Sequence, residues 1–98
     1  MATFVVLCNY TEQGIRAVKD TTKRADAVRE LARKMDIELK SIYWTIGEYD
    51  VVSTFEAPND ESITALSLAI SSQGFVRTQT LRAFSKDEVG SIIGKLGR

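Results

Sequence analysis

The chain has no histidine and only one cysteine, Cys8, and one proline, Pro58. Histidine is the commonest general base near neutral pH and a frequent metal ligand, so its absence removes most zinc sites and the usual haem ligand. A single cysteine excludes an intrachain disulfide and any Cys-x-x-Cys metal or redox motif. No P-loop or dinucleotide fingerprint occurs either. No metal and no cofactor are therefore expected. Charge of one sign is also lacking: 13 basic residues balance 13 acidic ones. A field attracting nucleic acid or an anionic membrane is not expected, and no apolar run is long enough to span a bilayer. Met1-Ala2-Thr3 leads straight into a strand pattern with no basic stretch, so no secretory signal is expected. Cys8 lies in an apolar run, where a free thiol behaves as a small hydrophobe. Together these features favour the reducing cytoplasm.

What is present suits a globular fold. Residues 1–98 are expected to form one domain, and a chain of this length buries roughly two thirds of its unfolded surface. Apolar content of 44% and charged content of 27% are ordinary for such a domain, so no special class is implied. Phe4-Val5-Val6-Leu7-Cys8 reads as a central strand. Thr11 to Val18 suits a helical turn or short helix interrupted by Gly14. Ala25, Val28, Leu31, Ala32 and Met35 form one stripe of a helix capped at Thr21 or Thr22, with Lys23, Arg24, Arg29 and Arg33 on its solvated side. Leu39–Ile46 and Tyr49–Glu56 alternate at the strand period. Asn59 or Asp60 caps a helix buried through Ile63, Leu66, Ala69 and Ile70, ending near Gly74. Phe75–Phe84 reads as a fourth strand. Ser85 and Glu88 have capping-box spacing before a last helix with an apolar side of Val89, Ile92, Ile93 and Leu96. Gly90 and Gly94 have small-xxx-small spacing, read here as close packing. The order β-α-β-β-α-β-α contains the split βαβ motif, an α+β ferredoxin-like βαββαβ with an extra C-terminal helix.

The segment Ile42–Val52 fixes which side chains share a face. A two-residue turn at Gly47-Glu48 sets Ile46 opposite Tyr49. Ile42, Trp44, Ile46, Tyr49, Val51 and Phe55 then lie under the helices, with Trp44 in the core. Leu39, Ser41, Tyr43, Thr45, Asp50, Val52, Thr54 and Glu56 face the open side, and strand parity adds Thr78, Thr80 and Arg82. Leu39, Tyr43 and Val52 make that side apolar for a wet surface, which suggests cover by another subunit. An RNA-recognition sheet needs basic and aromatic residues on its open strands. Here Trp44, Tyr49 and Phe55 point the other way, so that reading is set aside.

Gly47-Glu48-Tyr49-Asp50-Val51-Val52, Glu56-Ala57-Pro58-Asn59-Asp60-Glu61 and Gly74 through Phe84, in this order and spacing, resemble the GYD domain family of small bacterial and archaeal proteins. Gly47, Tyr49 and Asp50 match its signature, and the resemblance covers essentially the whole chain. Phe75 stands where an Asn is expected after Gly74, so any role of that amide is not carried over. The resemblance implies a ferredoxin-like fold of the dimeric α/β-barrel type and no particular reaction.

Three readings follow. The first, preferred because no nucleophile–base pair is visible, is a homo-oligomer, a dimer or higher, binding a small molecule between the open faces of two subunits. Tyr43, Thr45, Asp50 and Arg82 would be its contacts. The second is a cofactor-free dimeric-barrel enzyme, isomerase or monooxygenase-like, with Asp50 as acid or base and Tyr43 and Arg82 as orienters. The third is a structural oligomerisation module. Asp50 has a plainer role available as a partner for hairpin amides or a neighbouring Arg, and Arg77 and Arg82 suit salt bridges.

Overall fold

The structure, a computed structural model, describes residues 1–97. Its elements are β1 (Ala2–Tyr10), α1 (Glu12–Arg16), a 3-10 turn (Val18–Asp20), α2 (Thr21–Lys34), β2 (Glu38–Trp44), β3 (Val51–Ala57), α3 (Asp60–Ser72), β4 (Val76–Ala83) and α4 (Lys86–Gly94). The four strands form one antiparallel sheet in the order β2-β3-β1-β4. That order, with α2 and α3 on one side, is the ferredoxin-like α+β arrangement. β1 is an inner strand, as its continuous apolar run requires.

The core lies between the sheet and α2 and α3. Phe4, Val6, Cys8, Val51, Phe55 and Ala57 supply the sheet half, and Ala32, Ile63 and Leu66 the helical half. Local chemistry fixes the helix starts. Asn59 accepts the Ser62 amide at 2.8 Å to open α3, and Ser85 and Glu88 exchange the two bonds of a capping box to open α4. α2 differs from expectation. Asp20 occupies its cap position without a side-chain bond, and Thr21 is its first helical residue. The Thr21 hydroxyl is engaged elsewhere, as described below.

The β2–β3 pairing keeps the expected register but not the tight turn. Tyr43 faces Val52 and Trp44 faces Val51, and the Thr45 amide still reaches the Asp50 carbonyl at 2.9 Å. Beyond that point the strands separate, and Ile46 is fully exposed at the loop tip instead of facing Tyr49. Trp44 is on the helix side but 42% exposed at its edge, so it is not a core residue. Leu39 is buried at 5%, not on the open face. An irregularity between Leu39 and Ser41 takes Lys40 out of the ladder, and the extra residue reverses parity.

Parity is also reversed in β4. Thr78, Thr80 and Arg82 lie opposite Cys8, Val6 and Phe4, which are buried on the helix side. The hydroxyls explain why polar residues are tolerated there. Ser67 pairs with Thr80 at 3.0 Å and Ser71 with Thr78 at 3.2 Å, so α3 meets β4 through satisfied polar contacts. The open face therefore carries Arg77, Gln79, Leu81 and Ala83 from β4. α4 runs clear of this body: Val89 and Ile92 are about 40% exposed, and Leu96, expected on its apolar side, lies past its end at Gly94 and is 81% exposed. A Cβ at Gly90 or Gly94 would touch nothing among the described residues, so within the chain no close packing explains their spacing.

Candidate functional site: the signature loop and the helix-side cleft

The open face is built in cross-strand rows. Tyr43, Val52, Leu7 and Gln79 form one row, and Ser41, Thr54, Val5 and Leu81 the next. Glu38, Glu56, Thr3 and Ala83 close one end. Asn9 and Arg77 lie at the other, beside the β2–β3 loop. The middle of the face carries the apolar Val5, Leu7, Tyr43, Val52 and Leu81 with Ser41, Thr54 and Gln79 among them, and its ends are polar.

The loop residues Gly47, Tyr49 and Asp50 are tied to strands that are distant in sequence. Gly47 has φ +121°, a conformation L side chains rarely adopt, which permits the loop to turn. Asp50 donates its amide to the Cys8 carbonyl at 2.9 Å, and its Oδ2 accepts the Tyr10 amide at 2.9 Å. The side chain thereby satisfies a backbone donor at the end of β1 that no strand reaches. Tyr49 donates its phenol to Gln79 Oε1 at 3.0 Å. Because β1 lies between β3 and β4, the phenol must cross over β1 on the open side. Tyr49 is thus not under the helices, as two-residue pairing implied. Thr45 Oγ1 donates to the Tyr49 carbonyl at 2.5 Å and holds the loop from the other flank.

Of the four expected site residues, the structure groups Tyr43, Thr45 and Asp50 at the loop end of the sheet. Tyr43 is 66% exposed on the open face. Arg82 is elsewhere: five residues along β4 from Arg77, it lies roughly 16 Å down the strand and on the helix side. It donates to the Thr3 carbonyl at 3.2 Å and to the Ala83 carbonyl, and its guanidinium lies 4.3 Å from the Phe84 ring centroid. It also approaches Glu88 at 3.7 Å. The Ser85 amide, and then Arg82, hold the Glu88 carboxyl below its usual range. Arg82 braces the β4–α4 junction.

The Asp50 carboxylate accounts for one measurable bond. Asp50→Asn keeps an acceptor oxygen and removes charge, and is expected to lower the unfolding free energy by about 1 kcal/mol. Asp50→Ala leaves the Tyr10 amide unpaired and is expected to lose about 2–3 kcal/mol. Urea unfolding of both variants measures this; equal midpoints for Asp50→Ala and wild type would show that the bond does not matter.

On the helix side, at the same end, the sheet and helices α2 and α3 part to leave a cavity of about 80 Å³. Cys8, Tyr10, Thr21, Arg24, Trp44 and Phe75 are among its lining residues. Thr21 Oγ1 accepts from the Trp44 indole at 3.1 Å and pairs with the Tyr10 hydroxyl at 2.9 Å. These bonds draw Trp44 to the cleft edge and occupy the hydroxyl expected to cap α2. Burial pushes the Cys8 thiol up to about 11, so it is a neutral thiol at pH 7 and a poor nucleophile. Sequence reasoning missed Tyr10 and Gln79 and read Thr21 only as a helix cap; the partners of all three lie on other elements. It also placed Arg24 on the solvated side of α2, whereas its side chain turns inward.

Three comparisons bear on this architecture. The family model described as GYD domain matches residues 4–93. A Thermus thermophilus protein named glutamine synthetase and cystathionine beta-lyase binding protein is 31% identical over 97 residues, 98% of this chain and 99% of that one. The crystal structure of TTHA0845, also from Thermus thermophilus, superposes with a TM-score of 0.56 at 25% identity, covering 87% of this chain and 95% of that one. The match to the family model includes the loop whose Gly47, Tyr49 and Asp50 fasten the sheet together, and the chain belongs to the GYD domain family.

Proposed function

We propose that this chain is a cytoplasmic, homodimeric binding protein that attaches to a larger enzyme, such as a glutamine synthetase or a cystathionine beta-lyase. The observation that carries the self-association is the open face. Val5, Leu7, Val52, Leu81 and Tyr43 are contiguous across four strands, and α2 and α3 both lie on the other side. A sheet face that meets water on one side is normally polar there; an apolar one of this extent is an interaction surface. The fold suits face-to-face packing of two such sheets, the dimeric α/β-barrel association. The exposed apolar side of α4 offers further area beyond the sheet. The protein partner is supported by the name of the Thermus relative.

A small molecule held between the two faces would meet Tyr43 first, at the edge strand. The catalytic reading ranks below binding. Asp50, its acid or base, already accepts the Tyr10 amide, and Arg82 is too distant to orient the same substrate.

Light scattering at micromolar concentration is expected to give a species near twice the 10.9 kDa chain mass. Val5→Arg, at the centre of the face, is expected to convert it to monomer. A wild-type species near 10.9 kDa would remove the dimer. Co-elution with purified glutamine synthetase or cystathionine beta-lyase from the same organism tests the partner; failure with both removes that part of the proposal.

A further inference from the structure

The helix-side cavity has one chemical anomaly. Among the described residues, Arg24 is the only charged one in its lining. The guanidinium lies 4.5 Å from the Phe75 ring centroid, and its Nη1 donates to the Ala17 carbonyl at 3.0 Å. Its Nη2 is buried with no hydrogen-bond partner among the described residues. A buried donor on a charged group left unpaired is costly, and native structures satisfy such groups with protein, water or ligand. Here the stacking fixes the plane of the guanidinium and Ala17 engages one arm, which leaves the other arm without an acceptor. Arginine presents its donors as a rigid fork that suits carboxylates.

The rest of the cavity has a different character. Val28, Ile42, Val51, Ile70 and Val76 make most of its wall apolar. Its volume of about 80 Å³ is several times what one water needs. Apolar cavities hold water poorly and take apolar molecules. A pocket with an apolar body and one convergent cationic donor selects a ligand built the same way. Trp44, tethered through Thr21, stands at its edge. Phe75 supplies the surface on which Arg24 is stacked.

We propose that this cleft binds a small carboxylic acid with an apolar body, its carboxylate paired with Arg24 and its chain among Val28, Ile70 and Val76. The site is on the opposite side of the sheet from the self-association face, so the two proposals fail separately.

Trp44 is the only tryptophan and lines the cavity, so its emission reports occupancy. Hexanoate and its uncharged counterpart 1-hexanol are the probes. Hexanoate is expected to give a saturable change in Trp44 emission and to bind about 10–100-fold more tightly than hexanol, the scale of one charge-assisted hydrogen bond. Arg24→Met is expected to bring hexanoate down to the level of hexanol. Val28→Phe, which fills the cavity and leaves Arg24 in place, is expected to abolish both responses. Equal affinity of wild type for acid and alcohol would overturn the proposal, as would no saturable response to hexanoate. Persistence of the acid preference in Arg24→Met would also overturn it. The wild-type comparison decides the matter even where a variant does not fold.

Discussion

Replacing Phe55 with alanine is expected to lower the unfolding free energy by about 3–5 kcal/mol. Phe55 is 2% exposed in β3, facing Phe4 on one neighbouring strand and Leu39 on the other. It joins both halves of the sheet to the helical layer, and its removal leaves a cavity that three elements cannot close together. A small domain has about 5–15 kcal/mol of total stability, so a large share of it goes with this ring. Trp44→Ala gives the contrasting case. Trp44 carries more apolar surface, but 42% of the residue already meets solvent. Its loss is expected to be less than half that of Phe55, about 1–2 kcal/mol. Urea unfolding of the two variants side by side gives the ratio. An equal or larger loss at Trp44 would contradict the exposed edge position.

Gly14→Ala is expected to destabilise the protein by about 2 kcal/mol or more, a typical cost of forcing extra volume into a packed site. Helix propensity predicts the opposite sign, since alanine is favoured over glycine within a helix by roughly 0.5–1 kcal/mol. The backbone of Gly14 is helical, so positive φ plays no part. The reason is approach. A Cβ there would overlap the Phe75 carbonyl oxygen. That carbonyl accepts the Thr11 amide at 3.1 Å, and the Thr11 side chain accepts the Gly14 amide at 3.0 Å. Backbone cannot move aside as a flexible side chain does without breaking these bonds. Because Phe75 also carries the Arg24 stack, the same variant should weaken the helix-side cleft. Thermal and urea unfolding measure the sign, and a more stable Gly14→Ala would show that the α1–Phe75 contact yields.

Local pattern was enough for several features. The Asn59 cap and the Ser85–Glu88 capping box involve residues three apart, so their partners are specified within one turn. The register of Tyr43 with Val52 follows from hydrophobic alternation, and it survives although the turn expected to set it opens into a longer loop. Asp50 was legible as a residue of consequence at that loop, but its partner was not. The Tyr10 amide is 40 residues away and becomes the partner only because β1 lies beside β3.

Strand parity was legible only where no residue was added and no polar pair intervened. Lys40 leaves the ladder and carries Leu39 from the open face to the core. Thr78 and Thr80 sit under α3 because Ser67 and Ser71 meet them there; hydroxyls four apart on a helix opposite hydroxyls two apart on a strand were the available signal. Arg82 follows the same parity to the helix side, which separates it from Tyr43, Thr45 and Asp50. Arg24 lay among basic residues that read as a solvated face, and only the Phe75 ring and the Ala17 carbonyl turn it inward.

The order of elements, the caps of α3 and α4, the β2–β3 register and the family were all readable from the chain alone. Each depends on spacing between near neighbours or on motifs in fixed order. Which face of β4 is open, where Trp44 and Arg24 point, what Asp50 and Tyr49 hold, and where the cavity lies emerged only on folding. Those features depend on contacts between elements far apart in the chain, where one added residue or one satisfied hydroxyl pair outweighs the local hydrophobic pattern.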